Sequence, residues 1–299
     1  VRLISDGLLG EALLLGNRDR IYSTAGMSLS SVRGITVVDA AAAASDVRYH
    51  EEYRNARNLS VLEGEIINEA LSNPVTIGAL MLRFNEVDGF IGGIRSTTAE
   101  ILRAGINIIR ADRRVGVITS FTIISTGRET IGENGLIILC DPVVNPDPSV
   151  SVLCKSAEAV AYFSRQYLGI VPKIAFLSYS TKGSAGGKSV DKMSMAAERA
   201  RRAMPEIMIE GELQLDAALS ADVAKRKDPN GELKGRANIF IFPNLDSANI
   251  GSKIFQYFSD SYVVGPIIYG LNRPYNDISR AASVDDIYNL ALVTQLQSD

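Results

Sequence analysis

Three stretches of the chain combine glycine, hydroxyl side chains and a nearby cation, a mixture suited to holding an anion. In Gly92-Gly93-Ile94-Arg95-Ser96-Thr97-Thr98 an apolar run passes into a helical pattern that carries Arg103 two turns further on. Thr97 and Glu100 stand at capping-box spacing, which gives Thr97 a structural reason to exist without any ligand. The same helix start turns free N–H groups and the positive end of its dipole outward, so anion binding is equally open. Ile278-Ser279-Arg280 precedes a second helix, and Ser283-Val-Asp-Asp286 repeats the capping spacing. Asp286 is therefore either a helix cap or a catalytic carboxylate. The third stretch, Gly183-Ser-Ala-Gly-Gly-Lys188-Ser189, falls short of a nucleotide P-loop, because three residues rather than four separate Gly183 from Gly187. What remains is Ser180-Thr181-Lys182-Gly183-Ser184, which either presents hydroxyls and N–H groups to an anion or simply connects two elements.

Other chemistries are poorly provided for. His50 is the sole histidine, which disfavours a Ser–His–Asp hydrolase or a histidine metal site; beside Tyr49, Glu51 and Glu52 it reads as a surface residue. Cys140 and Cys154 match neither zinc nor redox-pair spacing. They read as core thiols, with a covalent nucleophile as the alternative. The net charge of −3 speaks against nucleic-acid binding, and the basic groups Arg199, Arg201, Arg202 and Lys225, Arg226, Lys227 suit helix ends. A composition 46% hydrophobic and 22% charged excludes disordered and fibrous classes. No apolar run approaches the roughly 20 residues of a membrane span. The expectation is a cytoplasmic protein without membrane partners. Val1 in place of methionine leaves a missing or processed N-terminus open.

To position such loops, short apolar runs alternate with amphipathic stretches, the pattern of an α/β fold with a parallel sheet wrapped by helices. Strands are expected over 12–15, 35–38, 87–91, 117–124, 136–140, 173–178, 207–210, 237–242 and 263–268. Helices are expected over 61–71, 75–84, 97–110, 150–168, 190–203, 217–225, 248–258 and 284–295. Pro146 and Pro148 mark one break and Gly265-Pro266 another. Two α/β lobes follow, 1–146 with 267–299 and then 147–266, with a cleft between them. Ligands of open α/β sheets collect at the carboxyl ends of strands, so the loops after strands are the places to look.

Gly265-Pro-Ile-Ile-Tyr-Gly-Leu-Asn-Arg-Pro-Tyr-Asn-Asp-Ile-Ser-Arg280, continuing through Ser283-Val-Asp-Asp-Ile-Tyr-Asn289, resembles the C-terminal signature of the phosphate acetyl/butyryl transferase family. The acetyltransferase branch is the nearer match. Phe242-Pro-Asn-Leu-Asp-Ser-Ala-Asn-Ile-Gly-Ser-Lys253, Leu177-Ser-Tyr-Ser-Thr-Lys-Gly-Ser184, Val144-Asn-Pro-Asp-Pro148 and Ser96-Thr-Thr-Ala-Glu-Ile-Leu-Arg103 extend the likeness in the same order. Before Gly64 it is weak. The resemblance implies a catalytic or substrate-holding role for Ser279, Arg280, Asp286 and Arg103. It further implies substrate contacts from Ser96, Thr97, Thr98, Asn145, Ser180, Thr181, Lys182, Gly183, Ser184, Asn249, Gly251, Lys253, Tyr269 and Gly270. The implied fold is of the isocitrate/isopropylmalate dehydrogenase type, usually a homodimer. Ala281 stands where the family commonly has glycine, and Ser96 and Ala104 replace frequent histidine and proline positions. These departures bear on rate or substrate preference rather than reaction class.

The implied reaction moves acetyl reversibly between coenzyme A and inorganic phosphate, with acetyl phosphate as the other substrate and neither a metal nor a permanently bound cofactor. Thiolate attack in a ternary complex would have Arg103 and Arg280 holding the phosphoryl group and Ser279 donating to the oxyanion. One lost donor of that kind costs about 100- to 1,000-fold. Between a reference thiol and a reference aspartate a base must cross about 4.6 pKa units, roughly 6 kcal/mol. Either the arginines acidify the thiol or the carboxylate is partly desolvated. One alternative is a phosphate butyryltransferase-like acyltransferase, since a methylene is worth only about 1–3 kcal/mol of discrimination. A second is a non-catalytic acetyl-CoA-sensing domain, which the retained Ser279, Arg280 and Asp286 disfavour. A third is a metal-dependent decarboxylating dehydrogenase, for which no acidic ligand cluster can be assembled from the sequence.

Overall fold

The computed structural model describes residues 1–25, 29, 32–60, 63–259 and 261–298. Two units emerge, one from Val1–Arg110 with Leu271–Asp299 and one from Ala111–Gly270. Sequence reasoning set the first boundary at 146. The division falls at Arg110 instead because the strands on either side of residue 130 pair within the second unit's sheet.

The first unit begins with α1 (Arg2–Ser5), β1 (Ala12–Gly16), α2 (Arg18–Ala25), β2 (Ile35–Asp39), α3 (Ala40–Ala43), α4 (Val47–Arg57), α5 (Gly64–Leu71) and α6 (Pro74–Arg83). The expected start of α5 at 61 lies outside the described residues. β1 and β2 form a two-stranded parallel sheet with Ala12 opposite Ile35. α6 is the buried centre of this unit. Asn73 caps it by accepting the Val75 N–H, and Pro74 occupies the first turn, where its missing N–H costs nothing. Every residue from Val75 to Leu82 is buried. Aliphatic side chains such as Ile77, Leu80 and Leu82, at 0% exposure, each contribute roughly 1.5–3 kcal/mol through burial. β3 (Phe90–Gly92) and α7 (Thr98–Ala104) follow, and α7 runs directly into a π-helical turn, Gly105–Ile109.

The second unit comprises β4 (Thr119–Ser125), β5 (Leu136–Cys140), α8 (Val150–Leu168), β6 (Lys173–Leu177), α9 (Lys188–Ala203), β7 (Met208–Leu213), α10 (Leu215–Leu219), α11 (Ala221–Lys227), β8 (Ile239–Ile241), α12 (Leu245–Phe258) and β9 (Tyr262–Tyr269). Its six strands lie in the order β7-β6-β8-β5-β4-β9. β7, β6, β8 and β5 run parallel, whereas β4 is antiparallel to both β5 and β9. The antiparallel step has a simple cause: residues 126–135 between β4 and β5 are fewer than the dozen or so that a parallel crossover needs. α8 starts where Ser149 accepts the Val152 N–H and stops at Gly169 in the left-handed region. Ile124, Ile137, Leu139, Leu177, Leu213 and Phe240 pack in the core, and Phe121 meets Phe163 at 4.6 Å between ring centroids. The fold is thus mixed α/β around a mostly parallel central sheet. Among the described residues no helix is long and apolar enough to cross a membrane.

The chain then returns to the first unit with β10 (Tyr275–Asp277) and α13 (Val284–Leu296). β10 pairs in parallel with β3, Asp277 opposite Gly92. With two polar residues in three, this strand carries no apolar signature in the sequence.

Candidate active site

The β3–β10 pair gives the first unit its chemical edge. Both strands end at the same level, and the Ile278 N–H donates to the Gly92 carbonyl at 2.8 Å. One strand then turns through Gly93–Ser96 into α7, and the other turns through Ile278–Ala282 into α13. Phe90 stacks on Tyr275 at 4.7 Å, which holds the pair together from below. Gly93 sits at φ +134°, and a Cβ there would lie 2.1 Å from the Ile278 carbonyl oxygen. Only glycine lets the two turns approach this closely.

Each helix start is capped as its spacing foretold. The Thr97 N–H and hydroxyl donate to Glu100 Oε2 at 2.6 and 2.9 Å, and the Glu100 N–H returns a bond to Thr97 Oγ1. The backbone bond from Thr97, followed by its hydroxyl, holds the Glu100 carboxyl below its usual range. At the other helix the Ser283 N–H and hydroxyl donate to Asp286 Oδ2 at 2.7 and 2.8 Å. Asp286 is therefore a helix cap in fact, whatever else it does.

Ser96 closes the turn by donating its N–H to the Gly93 carbonyl at 3.1 Å. Thr98 donates its hydroxyl to Asp277 Oδ2 at 2.6 Å. Arg103, in the last turn of α7, and Arg280, in the turn after β10, are both exposed. Ser279 is half-buried, and its Oγ accepts the Ala281 N–H at 3.2 Å. The four residues expected to be catalytic thus belong to one unit and to the two elements leaving its paired strands. Asp277, which accepts the Thr98 hydroxyl, is not among the residues expected from the sequence to form the site. It is 2% exposed, and burial raises its pKa, opposed by the bond from Thr98.

The remaining expected residues belong to the second unit. In the loop after β6, Ser180 Oγ and the Gly183 N–H donate to Glu212 Oε1 at 3.0 and 2.6 Å, and Glu212 is buried. Ser184 Oγ accepts the Thr181 N–H, Thr181 exchanges bonds with Gln214, and Lys182 Nζ reaches Glu210 at 3.4 Å. An anion seat is present here, and the chain's own carboxylate occupies it. Sequence could not show this, because Glu212 is distant along the chain.

Asn145 spends both amide hydrogens on the Ile118 carbonyl and Asp141 Oδ2. Asn249 donates to the Pro142 carbonyl, Gly251 faces Phe242, and Lys253 is exposed. Tyr269 packs its ring against Phe121 and Phe163, and burial pushes its phenol pKa up. Gly270 lies at φ +92°, with a would-be Cβ 1.9 Å from the Val117 carbonyl oxygen, a purely steric reason for glycine.

Cys140 is fully buried beside Thr119, and burial drives its thiol pKa well above the usual range, as it also raises that of Cys154. Neither environment favours a thiolate. His50 is half-buried rather than on the surface, its Nε2 lying 2.8 Å from the Ala44 carbonyl oxygen. Among the described residues no group of three or more His, Cys, Asp or Glu could hold a metal ion.

Comparison with known proteins gives a consistent result. The family model described as phosphate acetyl/butaryl transferase matches residues 1–295. The phosphate acetyltransferase of Thermoanaerobacterium thermosaccharolyticum is 34% identical over 291 residues, covering 97% of this chain and 88% of that protein. A solved phosphotransacetylase from Streptococcus pyogenes aligns with a TM-score of 0.83 at 30% identity, covering 99% of this chain and 88% of that one. A Salmonella typhimurium structure assigned as a 4-hydroxythreonine-4-phosphate dehydrogenase shares the fold alone. Its TM-score is 0.50 at 12% identity, with 99% and 89% coverage.

Proposed function

The chain belongs to the phosphate acetyl/butaryl transferase family, and on that premise we propose that it transfers acetyl reversibly between coenzyme A and inorganic phosphate. It is an acyltransferase. The observation that carries this reading is the family match over residues 1–295, which includes every residue assigned a chemical role.

In the direction of acetyl-CoA formation, the coenzyme A sulfur bonds to the acetyl carbonyl carbon of acetyl phosphate. The bond from that carbon to the phosphate oxygen breaks, and phosphate leaves with the electron pair. Arg103 and Arg280 hold the phosphoryl group by charge-assisted bonds, and Ser279 donates to the developing oxyanion. Asp286 takes the thiol proton through Oδ1, since Oδ2 serves the cap. In the second unit Ser184, Asn249 and Lys253 are the better candidates for coenzyme A contacts, because Ser180 and Gly183 already donate to Glu212. The proposal includes a homodimer working in the cytoplasm.

The deciding experiment measures phosphate-dependent release of free thiol from acetyl-CoA, without added metal. Release from acetyl-CoA faster than from propionyl- and butyryl-CoA supports the reading. Folded protein that releases no thiol overturns it, and a butyryl preference reassigns the acyl chain.

A further inference from the structure

We propose that Asp277 is a positioning residue for phosphate: through the Thr98 hydroxyl it fixes the helix bearing Arg103 to the strand that leads into Ser279 and Arg280. The inference rests on the reaction proposed above and adds a residue to it. Asp277 is the last residue of β10, and the chain continues through Ile278 directly into Ser279 and Arg280. Thr98 is the first residue of α7, and Arg103 lies in the last turn of the same short helix. The 2.6 Å bond from Thr98 Oγ1 to Asp277 Oδ2 therefore joins the two elements that present the phosphate-holding arginines.

A carboxyl group is a costly choice for a mere packing contact. At 2% exposure it forfeits hydration, and among the described residues its neighbours are the Thr98 hydroxyl and the backbone rather than a Lys or Arg. A hydrophobic side chain of similar size would pack there more cheaply. What a carboxyl adds is direction. Its Oδ2 takes the Thr98 hydroxyl, while its Oδ1 lies against Gly93, where a would-be Cβ would stand 2.5 Å away. The side chain is thereby wedged between both turns.

The preceding residue follows the same logic on the opposite face of the strand. Asn276 is fully buried and donates to Thr294 Oγ1 at 2.8 Å and Gln297 Oε1 at 2.7 Å, which holds α13. Consecutive polar residues of β10 thus hold the two helices that carry Arg103 and Asp286. Misplacing a binding group by about 1 Å can cost as much as 100-fold, so a contact of this kind should register in substrate affinity.

The test compares Asp277→Ala, Asp277→Asn, Thr98→Val and Thr98→Ser in the full-length protein. Asp277→Ala and Thr98→Val should each raise KM for acetyl phosphate by about tenfold or more. KM for coenzyme A should stay within about twofold, and the double variant should be no worse than the poorer single one. Asp277→Asn and Thr98→Ser, which keep an acceptor and a donor, should move KM back toward the parent value. Folded variants with the parent KM for acetyl phosphate, or with both KM values raised alike, overturn the inference. If Asp277→Ala does not fold, Thr98→Val against Thr98→Ser reads the same contact. A second readout is independent of acetyl transfer: at one fixed concentration, inorganic phosphate should raise Tm less in Thr98→Val than in the parent. An equal rise in both proteins, or none in the parent, sinks the role of Asp277. A parent protein that shows the rise yet transfers no acetyl sinks the reaction instead.

Discussion

Asp286 accepts both the backbone N–H and the hydroxyl of Ser283 on a single carboxylate oxygen, at 2.7 and 2.8 Å. Cap and proposed base are therefore one residue using two different atoms, and mutation can separate them. Ser283→Ala should lower stability by about 1 kcal/mol, the usual worth of an N-cap, with little change in turnover. Asp286→Asn should lower kcat by about 100-fold or more while leaving both KM values within about twofold. Urea unfolding and steady-state kinetics on the two variants check this. An Asp286→Asn protein with near-parental kcat would leave the cap as its whole role.

Tyr275 is buried to 1% exposure, and its hydroxyl has no hydrogen-bond partner among the described residues. An unsatisfied buried hydroxyl costs about 1–3 kcal/mol. Tyr275→Phe keeps the ring stacked on Phe90 and removes that cost, so it should leave stability unchanged or raise it by up to that amount. Chemical denaturation measures the sign directly, and clear destabilisation would mean the hydroxyl has a partner.

Gly93→Ala should be among the most damaging single changes in the first unit. The new Cβ would stand 2.1 Å from the Ile278 carbonyl oxygen at a backbone angle that other residues rarely adopt. A cost of about 1–3 kcal/mol from the dihedral alone is expected, with the clash added to it. Because the clash displaces the turn leading to Ser279 and Arg280, turnover should fall even at temperatures where the variant stays folded. Thermal unfolding and a low-temperature assay together test both halves.

The bond from Thr97 gives Glu100 a carboxyl held below its ordinary value of 4.5. A depressed folded-state pKa means stabilisation that is complete above the unfolded value and is lost as pH falls through the folded one. The Tm difference between parent and Glu100→Gln should accordingly be present at neutral pH and shrink in acid below about pH 4.5. A difference that persists unchanged into strong acid would argue against the charged capping box.

Cys140 and Cys154 both lie in the core with raised thiol pKa values, so neither should form a covalent acetyl intermediate. A folded double Cys→Ala variant should keep turnover within about threefold of the parent, given how weakly distant core changes couple to a site. Complete loss of activity in that folded variant would reinstate an acetyl-cysteine route.

The elements readable in advance were those with a long apolar period or clean punctuation. α8 runs over the expected 150–168, and β5 over the expected 136–140. β10 was hidden because it is three residues long and two of them are Asn276 and Asp277, polar side chains that read as loop until their buried partners are seen. α4 was hidden by its charge, with only Tyr49 fully buried along its length. At the candidate site, residue types exposed the capping pairs Thr97–Glu100 and Ser283–Asp286, because both partners are local. Glu212 beneath the Ser180–Ser184 loop and Asp277 beneath Thr98 could not be read, since each contact spans a long stretch of chain.

The split of the first unit between residues 1–110 and 271–299 also fixes an order of events during synthesis. A ribosome delivers the whole contiguous second unit while β3 still awaits β10. Ser279, Arg280 and Asp286 emerge only afterwards. A polypeptide released prematurely after Gly270 would carry a complete second sheet and none of these three side chains. Translation errors late in the message would therefore remove the proposed catalytic side chains while leaving the strands of the second sheet encoded in full.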